Sequence, residues 1–137
     1  MNILHGVINA IHSSERVSMV NVLVEGDVFS AMILEGRAGI INYALHEPIS
    51  IIFKETEVGI VKGLSGMISF RNRFPGKITQ IDQGTVCTNL LIQYHGCEIS
   101  SIISSKSAAE MQLKEGESIE WLVKSNEISL LKEDHHV

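Results

Sequence analysis

Residues 6–33, GVINAIHSSERVSMVNVLVEGDVFSAMI, and residues 76–103, GKITQIDQGTVCTNLLIQYHGCEISSII, align without a gap at a spacing of 70 residues. Apolar periodicity alone does not align glycines and lysines as well, so the spacing predicts two tandem copies of one module. The first copy is expected to span residues 1–66 and the second residues 67–137. The matched pairs are Gly6/Gly76, Ile8/Ile78, Ile11/Ile81, Gly26/Gly96, Ser30/Ser100, Ile33/Ile103, Ala38/Ala108, Glu47/Glu117, Ile49/Ile119, Lys54/Lys124 and Glu57/Glu127.

Each copy has the pattern of short strands with one short helix. In the second copy, alternation of polar and apolar residues predicts strands on both sides of a His95-Gly96 turn. Ser104 or Ser105 is suited to cap a helix over residues 107–113, and two further strands follow. The corresponding helical stretch of the first copy is Arg37 to Leu45. This order predicts an all-β protein of two five-stranded OB-type Greek-key barrels, each with one short helix.

Composition indicates how the two modules are stabilised. The 137 residues are 45% hydrophobic and only 5% aromatic, so we expect an aliphatic core. A unit of this size buries only about 60% of its unfolded surface, so it needs a partner face. The joint at residues 60–66 is short and apolar, and it predicts that the copies dock rigidly. A homo-oligomer, a trimer or dimer of double modules, is also expected.

Charge and cysteine content exclude several classes of function. A net charge of −5 and few aromatic residues argue against a nucleic-acid partner, which needs a basic groove and stacking side chains. Cys87 and Cys97 have no further ligands nearby, which indicates reduced thiols. The N-terminal residues lack the pattern of a signal peptide, and no apolar stretch is long enough to span a bilayer. We therefore expect a soluble cytoplasmic protein.

Three clusters of hydrogen-bond donors in the second copy are candidates for binding a small anion. Ser69, Arg71 and Asn72 place a hydroxyl, a guanidinium and an amide within four residues. Ser104 and Ser107 lie where a helix begins, and Lys124 with Ser125 ends a strand. Solvated strand ends and simple helix capping are the alternatives for these residues.

The same clusters resemble a known family. Ser69-x-Arg71-Asn72-x-x-x-Gly76-Lys77-Ile78 is similar to the opening motif "S-A-R-N-x-x-x-G-x-V" of molybdate-binding Mop domains, also called TOBE domains. Residues 102–108, IISSKSA, resemble the family's "V-V-T-K-E-S-A", residues 113–117, LKEGE, resemble its "L-K-E-G-D", and residues 123–128, VKSNEI, resemble its "I-K-A-S-x-V". The resemblance covers residues 67–131. Phe70 departs from it, since the family has a small residue there, and so does Cys87-Thr88.

The resemblance implies that molybdate or tungstate is the bound ligand, held by hydrogen bonds and charge at interfaces between domains. It implies oxyanion contacts from seven residues: Ser69, Arg71, Asn72, Ser104, Ser107, Lys124 and Ser125. It also implies a role in intracellular storage, buffering or delivery, with a molybdate transporter or molybdenum-using proteins as partners. The alternative is a TOBE-like regulatory or interaction domain that has lost anion binding. No nucleophile–base pair or phosphate-binding loop is present, so we do not expect an enzyme.

The first copy has lost most of these donors. Met1 stands at the position of Arg71, Leu34 at that of Ser104 and Glu55 at that of Ser125. A carboxylate beside the site would repel a dianion. Lys54, which matches Lys124, and Arg37, which matches Ser107, are the remaining candidates in this copy.

Overall fold

A computed structural model describes residues 1–34 and 42–133. These residues form ten strands, and one short α-helix lies in the second copy. The elements are β1 (Asn2–Ser14), β2 (Val17–Val24), β3 (Asp27–Leu34), β4 (Pro48–Phe53), β5 (Val58–Val61), β6 (Asn72–Gln83), β7 (Cys87–Tyr94), β8 (Cys97–Ser104), α1 (Ser105–Glu110), β9 (Ser118–Val123) and β10 (Ser129–Lys132). The all-β class with two five-stranded units is confirmed. Most of the helical stretch predicted from Arg37 lies outside the described residues, and residues 42–45 are not helical.

The two sheets have the same topology but exchange their last strands. One sheet has the order β10-β4-β1-β2-β3 and the other the order β5-β9-β6-β7-β8, with every pairing antiparallel. β5 follows the first copy along the chain but pairs with β9, and β10 pairs in return with β4. The sheets therefore cross the sequence boundary proposed near residue 66.

Tight turns shape both units in the same way. β2 and β3 are joined by Glu25 and Gly26, and β7 and β8 by His95 and Gly96. All four residues have positive φ, as a two-residue turn of type I′ requires. The His95-Gly96 hairpin predicted from the sequence is thus confirmed.

The core spans both halves and is more aromatic at its centre than the composition suggested. Of the four phenylalanines, two tyrosines and one tryptophan, five are buried together: Phe29, Phe53, Phe74, Tyr94 and Trp121. The rings of Phe29 and Phe74, one from each half, lie 4.2 Å apart between centroids. Aliphatic side chains fill the remainder, so the expectation of an aliphatic core is wrong only at this junction. The few aromatic residues are concentrated where the two halves meet.

Polar contacts also fix the halves against each other. The Tyr94 hydroxyl donates to Asp27 Oδ2 at 2.6 Å, and burial together with this hydrogen bond raises the Tyr94 pKa far above its ordinary value. Lys62, in the joint, lies 2.7 Å from Glu117 and also donates to the carbonyl oxygen of Met111. These contacts support the predicted rigid docking.

Candidate functional site

Two of the three predicted donor clusters meet in one groove, and the third adjoins it. Phe70, Ser104 and Lys124 all line a groove of about 460 Å³. Phe70 precedes β6, Ser104 ends β8 and Lys124 follows β9. Leu122 and Ile103 supply apolar walls. The arrangement offers a hydroxyl and an ammonium group to a small polar ligand in a partly apolar cleft.

Ser69 and Arg71 flank this groove through Phe70. Both are exposed, the chain bends at Ser69, and β6 begins only at Asn72, so Ser69 and Arg71 do not share one side of a strand as the sequence suggested. Arg71 forms no ion pair with any residue in the described part of the chain. Its guanidinium is therefore free to bind an anion.

Arg73 differs from Arg71 in this respect. Its Nε and Nη2 donate to the two carboxylate oxygens of Glu120 at 2.8 and 2.7 Å. The hydrogen bond from Arg73 holds the pKa of the Glu120 carboxyl below its ordinary value. Arg73 is thus committed to a bond between β6 and β9.

Asn72 is buried and fully hydrogen-bonded within the chain. Its Nδ2 donates to the carbonyl oxygens of Ser30 and Val123, and its Oδ1 accepts from the Ser30 N–H at 2.7 Å. Asn2, 70 residues earlier, makes the matching pair of bonds to the backbone of Ser100. Both asparagines join one half of the molecule to the edge strand of the other.

Ser104 and Ser107 cap the short helix α1. The Ser107 N–H donates to Ser104 Oγ at 3.0 Å, and the Ser104 hydroxyl donates to Ser107 Oγ at 2.9 Å. Both residues are exposed, so the Ser107 hydroxyl hydrogen points to no partner among the described residues. Capping therefore explains the Ser104 side chain and leaves one donor at the groove rim.

Ser125 and Lys54 are placed apart from this groove. Ser125 is 8% exposed and begins a 3-10 turn, Ser125–Glu127, which packs against β3 of the first half. Lys54 lines a second groove of about 230 Å³ with Met1 and Asn126. Arg37 lies outside the described residues.

Two carboxylates at the grooves were missed by the sequence analysis. Glu57 and Glu127 line both grooves, which therefore share an acidic border. The signal was available, because each glutamate follows a groove lysine by three residues in both copies. A dianion in either groove lies near these carboxylates, and the lysine charge must offset that repulsion.

Searches of the described residues for other chemistry gave two negative findings. Within residues 1–34 and 42–133, no three histidine, cysteine, aspartate or glutamate side chains cluster as metal ligands would. Nor does any helix in these ranges have the length and apolar character needed to cross a bilayer.

Two tandem OB-type units with a donor-lined groove define a class of small-anion-binding modules, and comparison with known proteins identifies the family. A model of the TOBE domain matches residues 68–130. Molybdenum-pterin-binding protein 2 of Clostridium pasteurianum is 35% identical over 65 residues, which are 47% of this chain and 96% of that protein. Molybdenum-pterin-binding protein 1 of the same organism is 32% identical over the same extent. The chain belongs to the TOBE-domain family of these molybdenum-pterin-binding proteins.

A solved structure resembles the whole chain. The cytoplasmic molybdate-binding protein ModG, crystallised with molybdate bound, superposes with a TM-score of 0.87 over 94% of each chain, at 23% identity. At that identity the likeness shows the fold, including its two-unit organisation. The resemblance noted from the sequence motifs is thus confirmed.

Proposed function

We propose that this protein binds molybdate or tungstate as a free oxyanion, in the groove lined by Phe70, Ser104 and Lys124. The observation that carries the proposal is the meeting of these residues in the half that matches the molybdenum-pterin-binding proteins. Arg71, Ser69 and Ser107 surround the groove and supply further donors. Hydroxyl, guanidinium and ammonium groups hold an oxyanion by hydrogen bonds and charge, without a bond from protein to metal.

The other predicted contacts take different parts in the proposal. Asn72 acts as a positioning residue, because its amide holds the start of β6 against β3. Ser125 and Lys54 belong to surfaces that a neighbouring subunit would complete in a homo-oligomer, a trimer or dimer of double modules. Storage, buffering or delivery in the cytoplasm is the proposed role, with a molybdate transporter or molybdenum-using proteins as partners. Catalysis is not part of the proposal, and the relatives are named as binding proteins.

Titration calorimetry with molybdate, and with sulfate and phosphate as controls, tests this function. Heat with molybdate, at one ion per chain or fewer, is the expected result. Lys124→Ala and Arg71→Ala should each weaken binding by about tenfold or more, because each removes a charged donor. Lys54→Ala is the matched control at the equivalent position of the first copy, and it should change the affinity much less.

The outcomes separate the site from the function. Unchanged affinity in both Lys124→Ala and Arg71→Ala would show that the anion binds elsewhere. Absence of heat with all three anions would favour the alternative, an interaction domain that has kept the fold and lost its ligand.

A further inference from the structure

The outer face of the first half carries an exposed apolar surface across three strands. Directly opposite one another on this face are Val7 and Leu23, then Leu23 and Val28, and in a second row Val17 and Leu34. All five side chains are exposed, from 37% for Val17 and Leu23 to 74% for Leu34. We call these five residues the apolar face. Contiguous apolar patches on a protein surface mark interaction sites.

The same face of the second half is polar. The positions 70 residues further on are Lys77, Gln93 and Glu98 in one row, and Cys87 and Ser104 in the other. The inward positions, by contrast, stay apolar in both halves, as at Val22 and Ile92. Because the fold is the same, it does not require the apolar face. The surroundings of the two outer faces must differ.

The polar side chains within this surface satisfy each other. Asn21 and Ser30 lie opposite one another between the two apolar rows, and the Ser30 hydroxyl donates to Asn21 Oδ1 at 2.9 Å. None of the outward-facing residues of β2 and β3 between the turns, at positions 17, 19, 21, 23, 28, 30, 32 and 34, carries a formal charge. Burying the face therefore strands no charge, which is typical of the centre of a protein interface.

Charges of opposite sign mark the two ends of β2. Arg16 precedes the strand and Glu25 follows it, and neither forms an ion pair with a residue in the described ranges. The equivalent residues of the second half are Val86 and His95. The charged ends therefore accompany the apolar face and are absent where that face is absent.

We infer that the apolar face binds the same face of a second copy of this chain. A two-fold axis perpendicular to β2 lays the two strands antiparallel, so that Arg16 of each copy meets Glu25 of the other. Such a contact is self-complementary in both shape and charge. It also lets two acidic chains, each with a net charge of −5, associate through an uncharged surface.

The size of the face sets the strength of the contact. Three strands of eight residues cover roughly 26 Å by 14 Å, from the usual rise and spacing of strands. This is small beside the surface that permanent dimers bury, so the dimer should dissociate on dilution. The contact needs no oxyanion, and its test is therefore independent of the proposed function.

Sedimentation of the full chain without added oxyanion, over a wide range of concentrations, tests the inference. Wild type should double its mass reversibly as concentration rises. Leu23→Glu should weaken that association by at least about tenfold, because it places a carboxylate at the centre of the contact. Gln93→Glu, at the equivalent outer position of the second half, is the matched control and should behave as wild type.

Three results would overturn the inference. They are a single-chain mass at every concentration, an assembly that Leu23→Glu leaves intact, and an odd-numbered assembly that Leu23→Glu dissolves. Circular dichroism of each variant distinguishes loss of association from loss of folding.

A charge exchange tests the antiparallel arrangement with exposed turn residues that folding does not need. Arg16→Glu and Glu25→Lys should each weaken the dimer, because each puts like charges together. The double variant should restore association toward the wild-type level. A double variant weaker than either single variant would show that Arg16 and Glu25 do not meet.

Discussion

At the scale of single residues, Asn72 shows how a predicted ligand contact serves the fold. Its side chain makes three hydrogen bonds, two of them to the backbone of Ser30 in the other half. The sequence motif marked Asn72 correctly as a special position. Nothing local in the sequence revealed that its partner lies 42 residues away, because that partner is a backbone group.

Replacing this amide should destabilise the protein strongly. Asn72→Ala leaves buried backbone groups of Ser30 and Val123 without partners, at an expected loss of about 2–4 kcal/mol in the free energy of unfolding. Urea denaturation followed by Trp121 fluorescence measures the change, since Trp121 is fully buried in the central cluster. Arg71→Ala, at the exposed neighbouring position, is the control and should change stability by less than about 0.5 kcal/mol. A loss equal to that of the control would contradict the joining role of Asn72.

The shared carboxylates of the grooves lead to a second prediction at this scale. Glu127→Gln removes a negative charge beside the Lys124 groove, so molybdate should bind about two- to tenfold more tightly. Calorimetry at low salt measures the gain, which should shrink as salt is added. Glu110→Gln, on the exposed helix α1, is the control for a general change in charge. Weaker binding in Glu127→Gln would instead assign the carboxylate a direct part in holding the ligand.

At the scale of elements, the ion pair between Arg73 and Glu120 joins β6 to β9 and should make stability depend on pH. The Glu120 pKa is lower in the folded protein than in the unfolded chain. The pair therefore stabilises the fold above the ordinary carboxyl pKa, and that contribution is lost as pH falls through the lowered value. Wild type should exceed Glu120→Gln in urea midpoint at neutral pH, and the difference should vanish in acid. A difference independent of pH would indicate packing as its cause.

Elements were predicted from the sequence more successfully than their partners. The His95-Gly96 turn and the helix after Ser104 follow from local chemistry, namely positive φ at a glycine and a hydroxyl cap, and both are present. The exchange of β5 and β10 was not predicted. β4 and β9 are equivalent in the repeat, so a following strand has the same pattern whichever of the two it joins.

The candidate site was predictable to a similar degree. Motif positions led to Ser104 and Lys124, which the fold brings to one groove. Their spatial relation to Glu57 could not be foreseen, because that residue reaches the groove from the other half of the chain. Exchange of strands thus mixes the two copies at the site as well as in the sheets.

At the scale of the whole molecule, strand exchange should hold the halves together even when the chain is cut. A protease recognition sequence inserted between Gly63 and Gly66 lies in an irregular, exposed segment. After cleavage, the two fragments should elute together in native buffer with unchanged Trp121 fluorescence, because each sheet keeps a strand of the other fragment. They should separate only in denaturant. Separation in native buffer would show that the exchanged strands contribute little to the association.

The exchanged strands also set an order of events during synthesis. A ribosome releases β1 to β4 long before β10, so the first sheet leaves the exit tunnel with the edge of β4 uncovered. An open edge can recruit strands from other chains, and pairing that waits for distant residues is slow. The nascent chain is therefore exposed to mispairing until its final strand emerges. A chaperone that shields β4 during translation would improve the yield of folded protein, whereas one that acts after release would come too late.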